Sequence, residues 1–491
     1  MRTRFLSSLL LLGALAAGGA DLHAEDAAPE PSWTYRVRFE PDLASARVVV
    51  TFRGWRPKRL VLTRLDALRA LRLDSRPHPD GKPRYRVNPA RNGIIPRIER
   101  DGDGVTYEVD FKALAGLTRA EKLTRFVGRD LVTRAGLFLL HPAKWPPHAR
   151  VRVILELPSG LAPAVGWERD ILASNQEGQP VYVLPSHAMP LHARIAFGRF
   201  RPKRVVVPGG DLVYYALDAP RRASDAALAT WLRTAMGAVT QLYGKPPVAR
   251  THVLVQPLVP GRGRPVVFGR ATLSGGPYVH AMLSGTTTDA ALPGEWITIH
   301  EMLHLGMPVT TLADRWFGEG FVSYYQEIVR ARAGLQTPQQ AWQTMHGWFE
   351  RGKRSGGKRT LAEESRLMTN AYAYHRVYWG GAALAFQIDT SIRTSTQGRL
   401  SLDDVMRHFL AHDVDPGRVV TGEQLMARAD AFLGAGHFSG HARQALASRA
   451  FPELGPTYAR LGLQVLGGRI VLRADAPAVG HRDAIMRPGG R

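Results

Sequence analysis

Residues His300-Glu301-Met302-Leu303-His304 place two imidazoles four positions apart with a carboxylate between them. A second segment, Trp316-Phe317-Gly318-Glu319-Gly320-Phe321, brings another carboxylate fifteen positions after His304. Residues four apart on a helix sit one turn above each other on the same face. Two imidazoles placed that way bind one zinc ion, and Glu301 is held beside the metal's open coordination position. A third ligand is then needed, and Glu319 on a following helix is the candidate. His300, His304 and Glu319 leave the fourth position for water, as a hydrolytic zinc site requires. The bland alternative is a helix with two histidines packed in a core or on a surface. The surroundings argue against it. From Trp296 to Leu305 the chain is apolar apart from the motif and Thr298, so the helix is buried. Buried helices carry such groups when they are paired or bind metal. Gly306 and Pro308 supply a helix stop, and Phe321 to Val329 continues as a second helix.

The N-terminus is outside this fold. Arg2 and Arg4 precede an apolar run from Phe5 to Ala17, and small residues follow with Ala20 or Ala24 as cleavage ends. That is the pattern of a secretory signal peptide over 1–24. The chain has no cysteine, which excludes disulfides and a lipid anchor on cysteine, and the expected location is periplasmic or secreted. The formal net charge is +23. The basic residues are spread along the whole chain with no aromatic-interleaved stripe, so a nucleic-acid partner is not expected.

Residues 25–32 form a polar linker. From Trp33 the pattern alternates, at Thr34–Phe39, Arg47–Phe52 and Thr106–Phe111, with further strands at 150–157, 180–184 and 193–199. This reads as an N-terminal antiparallel β domain over 33–205. The periodicity then becomes helical, with an amphipathic helix at 222–243 and strands at 251–256 and 265–269 before the motif. The fold class is multidomain α+β: the β domain is followed by a mostly helical zinc-binding domain over 206–395 and a helical part over 396–455. A basic loop spans Arg351 to Arg359. The tail, 456–491, has one strand at Arg469–Arg473 and is expected to be disordered after it.

A third segment, Ala371 to Leu384, opens a helix with several aromatic residues. A hydrolase of this kind needs a donor for the developing oxyanion. Tyr372, Tyr374, His375 and Tyr378 are all candidates on chemistry alone, with aromatic packing as the plain alternative for each. Ser323 and Tyr324, about one turn after Glu319, are candidates to support the metal ligands.

Taken together, HEMLH, WFGEGFVSYY, VYWGGAALAFQIDTSIR and LSLDDVMRHF resemble the gluzincin peptidases. The similarity is to the glycyl aminopeptidase family and, more distantly, to the aminopeptidase N family. It is strong over roughly 290–410 and diffuse over 33–290. The resemblance implies a thermolysin-like catalytic domain, one zinc ion on His300, His304 and Glu319, Glu301 as general base and acid, and Tyr378 as the group that polarises the scissile carbonyl. It implies peptide or protein substrates. It also implies a Gly-rich strand ahead of the motif helix with a Glu for the substrate's free amine. The matching stretch, Leu273 to His280, contains no Glu, and Leu461 to Arg491 is at most a remnant of a further domain found in relatives. The expected function is a zinc metallopeptidase. The alternative is a non-catalytic envelope binding protein that keeps this fold and uses its basic surface.

Overall fold

The computed structural model describes residues 30–490, apart from 65, 78–79, 89–92, 118–122, 186–191, 260, 262, 274, 413–416 and 435. The expected signal peptide and most of the linker lie outside the described residues. Among the described residues, no helix is long and apolar enough to cross a membrane.

Alternation builds the N-terminal domain. In β1 (Ser32–Phe39), Trp33, Tyr35, Val37 and Phe39 are buried while their neighbours face outward. The same period-2 pattern runs through β2 (Ser45–Arg53) and β3 (Gly104–Asp110). After β4 (Arg125–Val127) and β5 (Asp130–Arg134) come β6 (Arg150–Glu156), β7 (Val181–Pro185) and β8 (Arg194–Gly198). Strands β1, β2, β3, β6 and β7 belong to one seven-stranded sheet, and β4, β5 and β8 to a four-stranded one. The expectation of a wholly antiparallel domain fails at one place: β1 and β6 pair in parallel. They are joined by a long excursion and not by a hairpin, so local turn chemistry does not set their direction.

The sheet of the second domain starts before the expected boundary at 205. Strand β9 (Lys203–Val207) alternates like its predecessors but pairs with β10 (Gly210–Ala216). Helix α1 (Asp225–Tyr243) follows, capped by Ser224, whose hydroxyl accepts from the Ala227 amide. Then come β11 (Arg250–Leu258), β12 (Val266–Thr272) and β13 (Tyr278–Ser284), in the sheet order β9-β10-β11-β13-β12. The middle pairings are parallel and both outer ones antiparallel. Helices α2 (Ile297–His304), α3 (Arg315–Arg332), α4 (Pro338–Arg354) and α5 (Tyr374–Ser395) pack into a core continuous with the sheet.

That core does not end at 395 or at 455. Leu402, Phe409, Leu425, Phe438, Leu461, Ile470, Ile485 and Met486 all belong to it. The tail therefore departs from its expected disorder. Leu463–Leu466 and Arg469–Leu472 form a hairpin, and Val479–Met486 is a helix. The tail supplies acceptors to buried arginines of α3 and α5: Arg332 Nε donates to the Ile485 carbonyl at 2.9 Å, and Arg393 Nη1 to the Gly490 carbonyl at 2.9 Å. The elements of the tail are four to eight residues long, too short for periodicity to show this. The expected loop at Arg351–Arg359 is likewise half helix. Position 352, inside α4, takes glycine because the Phe451 ring and Trp379 Cβ would stand 2.6 and 2.7 Å from any Cβ there.

Candidate metal centre

Helix α2 holds the first two candidate ligands. Its N-terminus is capped from outside: the Glu295 carboxylate accepts from the amides of Ile297 and Thr298. Its far end is pressed against α1. The Tyr243 hydroxyl donates to the Leu303 carbonyl at 3.2 Å, and its ring lies so close to Gly306 that a Cβ would meet it at 2.4 Å. Gly306 thus serves close approach as well as ending the helix.

The third ligand depends on how α3 meets α5. A Cβ on Gly320 would fall 2.5 Å from Gly381 Cα, and one on Gly381 would fall 2.2 Å from the Trp316 carbonyl oxygen. The two helices cross in backbone contact at these glycines. That brings Glu319, next to Gly320, and Tyr378, nearly one turn before Gly381, to the same side.

The geometry is that of a closed triangle. His300 Nε2 and His304 Nε2 are 3.3 Å apart, and each is 3.5 Å from Glu319 Oε2. Among the described residues this is the group of histidine and acidic side chains whose donor atoms could hold a metal ion. Zinc bonds of ~2.1 Å in a tetrahedron put neighbouring donors about 3.4 Å apart, so two nitrogens and one oxygen at these separations fit zinc. Desolvation opposes the charge of Glu319, but its contacts with His300 and His304 outweigh it and hold the carboxyl well below its usual range.

His300 is oriented from behind. Its Nδ1 is 2.8 Å from Oε1 of the fully buried Gln326. An amide oxygen can only accept, so Nδ1 carries the proton and Nε2 keeps its lone pair for a metal. Gln326 Nε2 donates in turn to Glu327 Oε1 at 3.1 Å, and Glu327 is held by Arg330 and Gln336. On sequence grounds Ser323 or Tyr324 is expected in this supporting role, and neither fills it. Tyr324 donates to Asp389 Oδ2 at 2.8 Å in the core, and the Ser323 hydroxyl is buried without a partner among the described residues. Gln326 lies seven residues after Glu319, two turns along the same face, and that spacing is the signal that could have found it.

Glu301 lies against β12. Its Oε2 accepts from the Ala271 amide at 2.7 Å, and a Cβ on Gly269 would stand 2.4 Å from its Cγ. Desolvation pushes the Glu301 carboxyl up to about 7, against the pull of His300 and with a contribution from Glu319. The strand beside the motif helix is therefore Val266–Thr272, and not the expected stretch from Leu273 to His280. It too contains no Glu.

Of the four candidates around the start of α5, the structure brings Tyr378 to the triad. Its ring stacks on His300, with centroids 6.0 Å apart and planes within 5°. Desolvation, then the charge of Glu319 and a hydrogen bond to it, push its hydroxyl well above the usual tyrosine range. Tyr378 is thus held as a proton donor. Tyr372, Tyr374 and His375 are exposed at the rim, and Tyr372 has a positive φ of 53°.

Residues 309–382 match the model of the M61 glycyl aminopeptidase family. That segment includes Glu319, Gln326 and Tyr378 and begins after His304. No curated protein matches the chain. Among solved structures, an aminopeptidase N family protein from Idiomarina loihiensis shares the fold over 88% of this chain and 79% of its own, with TM-score 0.67 and 13% identity. A mutant of the M1 zinc metallopeptidase from Deinococcus radiodurans, bound to a Tyr-Ser-Ala substrate, covers 87% of this chain and 95% of its own, with TM-score 0.54 and 16% identity. Yeast LTA4 hydrolase covers 86% of this chain and 68% of its own, with TM-score 0.56 and 11% identity.

Proposed function

We propose that this chain, which resembles the gluzincin peptidases, is a zinc-dependent metallopeptidase that hydrolyses peptide bonds with Glu301 as its general base. The observation that carries this reading is the donor triangle of His300, His304 and Glu319, with separations of 3.3, 3.5 and 3.5 Å, beside a carboxylate that is not part of it. Zinc in that triangle supplies a Lewis acid and brings the pKa of water toward ~7.

The rest is done by side chains of this chain. Glu301, steadied by the Ala271 amide, accepts the proton of the attacking water. The water oxygen bonds to the peptide carbon, and the carbonyl oxygen becomes negative. Tyr378 donates its O–H to that oxygen. As the C–N bond breaks, Glu301 passes the proton to the leaving amine. β12 is an outer strand of its sheet, so an extended peptide can lie along it next to Glu301.

Glu301→Gln tests this on a mixed peptide library. It is expected to retain zinc and lose turnover, and normal hydrolysis by that variant would refute the mechanism. A non-catalytic binding protein predicts no hydrolysis by either form. Secretion to the periplasm or beyond is part of the proposal and is supported by the N-terminal sequence pattern and the lack of cysteine. A mature N-terminus near residue 25 on the exported protein is the expected result.

A further inference from the structure

Residues of β12 alternate between two faces. Gly269 and Ala271 face the motif helix, against Glu301 and the catalytic core. Phe268 and Arg270 face the other way, toward the N-terminal domain, and both are exposed. In register with them on β13 are Met282 and His280. Onto this face the N-terminal domain brings Arg194 from β8. Its guanidinium carbon stands 5.9 Å from the centre of the Phe268 ring, and its Nη1 lies 3.5 Å from His280 Nδ1 and 3.8 Å from Met282 Sδ.

Arg194 has company. Arg134 on β5 is directly opposite it across the sheet. Arg125 on β4 is opposite Val132, two residues before Arg134 and so on the same face. Four strands from two domains therefore bring Arg125, Arg134, Arg194 and Arg270 together around His280, along the strand that borders Glu301. Burial first, then the positive charge of all four, keeps His280 neutral among them. Nε and Nη2 of Arg125 are shut off from solvent and meet no acceptor among the described residues.

Such a cluster does not stabilise a fold. Like charges repel, and a buried guanidinium nitrogen without an acceptor is costly. Convergent guanidinium groups match a carboxylate in shape and charge.

We propose that this cluster binds a carboxylate of the peptide substrate, with Arg125, Arg134, Arg194 and Arg270 as specificity-determining residues. The inference rests on the peptidase reading above. It also gives meaning to a strand that lacks a carboxylate for a free amine: this side of the cleft selects a negative group. A peptide extended along β12 projects alternate side chains onto the arginine face. The carboxylate is either an Asp or Glu side chain or the chain's own C-terminus.

The test uses the full-length enzyme loaded with zinc and fluorogenic peptides that differ at one position, Glu against Gln, on each side of the scissile bond. Each is made with a free and an amidated C-terminus. One of the two carboxylate contrasts is expected to give a preference in kcat/KM of roughly tenfold or more, the size of a charge-assisted contact. Arg125→Gln and Arg270→Gln are expected to bring that ratio toward one. The ratio is insensitive to partial unfolding, which lowers both rates together. A preference for Glu assigns the cluster to a side chain, and a preference for the free terminus assigns it to the chain end. Cleavage with both ratios near one, or a preference that both variants retain, overturns the inference and leaves the peptidase reading standing. Absence of cleavage for every peptide overturns the peptidase reading, and the inference with it.

Discussion

Replacing Gln326 by Leu removes the acceptor behind His300 while filling nearly the same volume. It breaks a 2.8 Å hydrogen bond between buried partners. An unsatisfied buried donor costs about 1–3 kcal/mol. The effect on the other side of Gln326 is smaller, because Glu327 keeps Arg330 at 2.7 Å and Gln336 at 2.8 Å. The damage therefore concentrates on His300, whose proton is no longer fixed on Nδ1 and whose ring is no longer fixed in plane. Removal of such a supporting partner typically costs ~10–100-fold in metal affinity. Gln326→Glu keeps an acceptor facing Nδ1, so it is expected to retain most of the affinity even if the added charge beside Glu327 weakens the fold. Competition against a chromophoric chelator at constant pH measures the affinities, and thermal unfolding of the metal-free proteins measures stability separately. A Leu variant that binds zinc as tightly as the parent would show that Gln326 does not orient His300.

Two further substitutions test the placement of the remaining groups. Tyr378→Phe removes the proposed oxyanion donor. It is expected to leave zinc binding intact and lower kcat by ~10²–10³-fold in steady-state kinetics; a decrease under threefold would contradict the role. Gly381→Ala sets a Cβ 2.2 Å from the Trp316 carbonyl oxygen and 2.8 Å from Gly320 Cα, so α3 and α5 must part by roughly 1 Å. That is expected to cost about 1–3 kcal/mol in chemical denaturation and ~10²-fold in turnover, because Glu319 and Tyr378 shift together.

The ligands are legible in the sequence because their spacing is local. Positions i and i+4 of a helix meet whatever the rest of the fold does, so His300 and His304 can be placed together from the sequence, and Glu319 follows from its aromatic setting between two glycines. Tyr378 is one of four candidates on chemistry, and only the resemblance singles it out. The glycine contact between α3 and α5 explains its placement and cannot be read from either helix alone. Alternation locates most of the strands but not their partners, which is why β9 falls to the wrong domain and β6 to a purely antiparallel sheet. Dense glycines point to Leu273–His280 as the strand beside Glu301. That strand lies instead at Val266–Thr272, where a single glycine answers to Glu301. The arginine cluster is invisible for a related reason: Arg125, Arg134 and Arg194 meet only when their strands pair, and Arg270 joins them only when two domains pack. Spread charge in a sequence does not reveal where the charge converges.

One zinc ion in the triangle of His300, His304 and Glu319 is proposed to make this chain a peptidase. Stripping the protein with a chelator and restoring zinc in steps tests it directly, with bound metal and peptide hydrolysis read on the same samples. Hydrolysis should be absent from the stripped protein and rise linearly to a plateau at one zinc per chain, and the Glu301→Gln variant should bind the same single ion without turnover. Hydrolysis that persists without metal, or a chain that takes up no zinc, would contradict it.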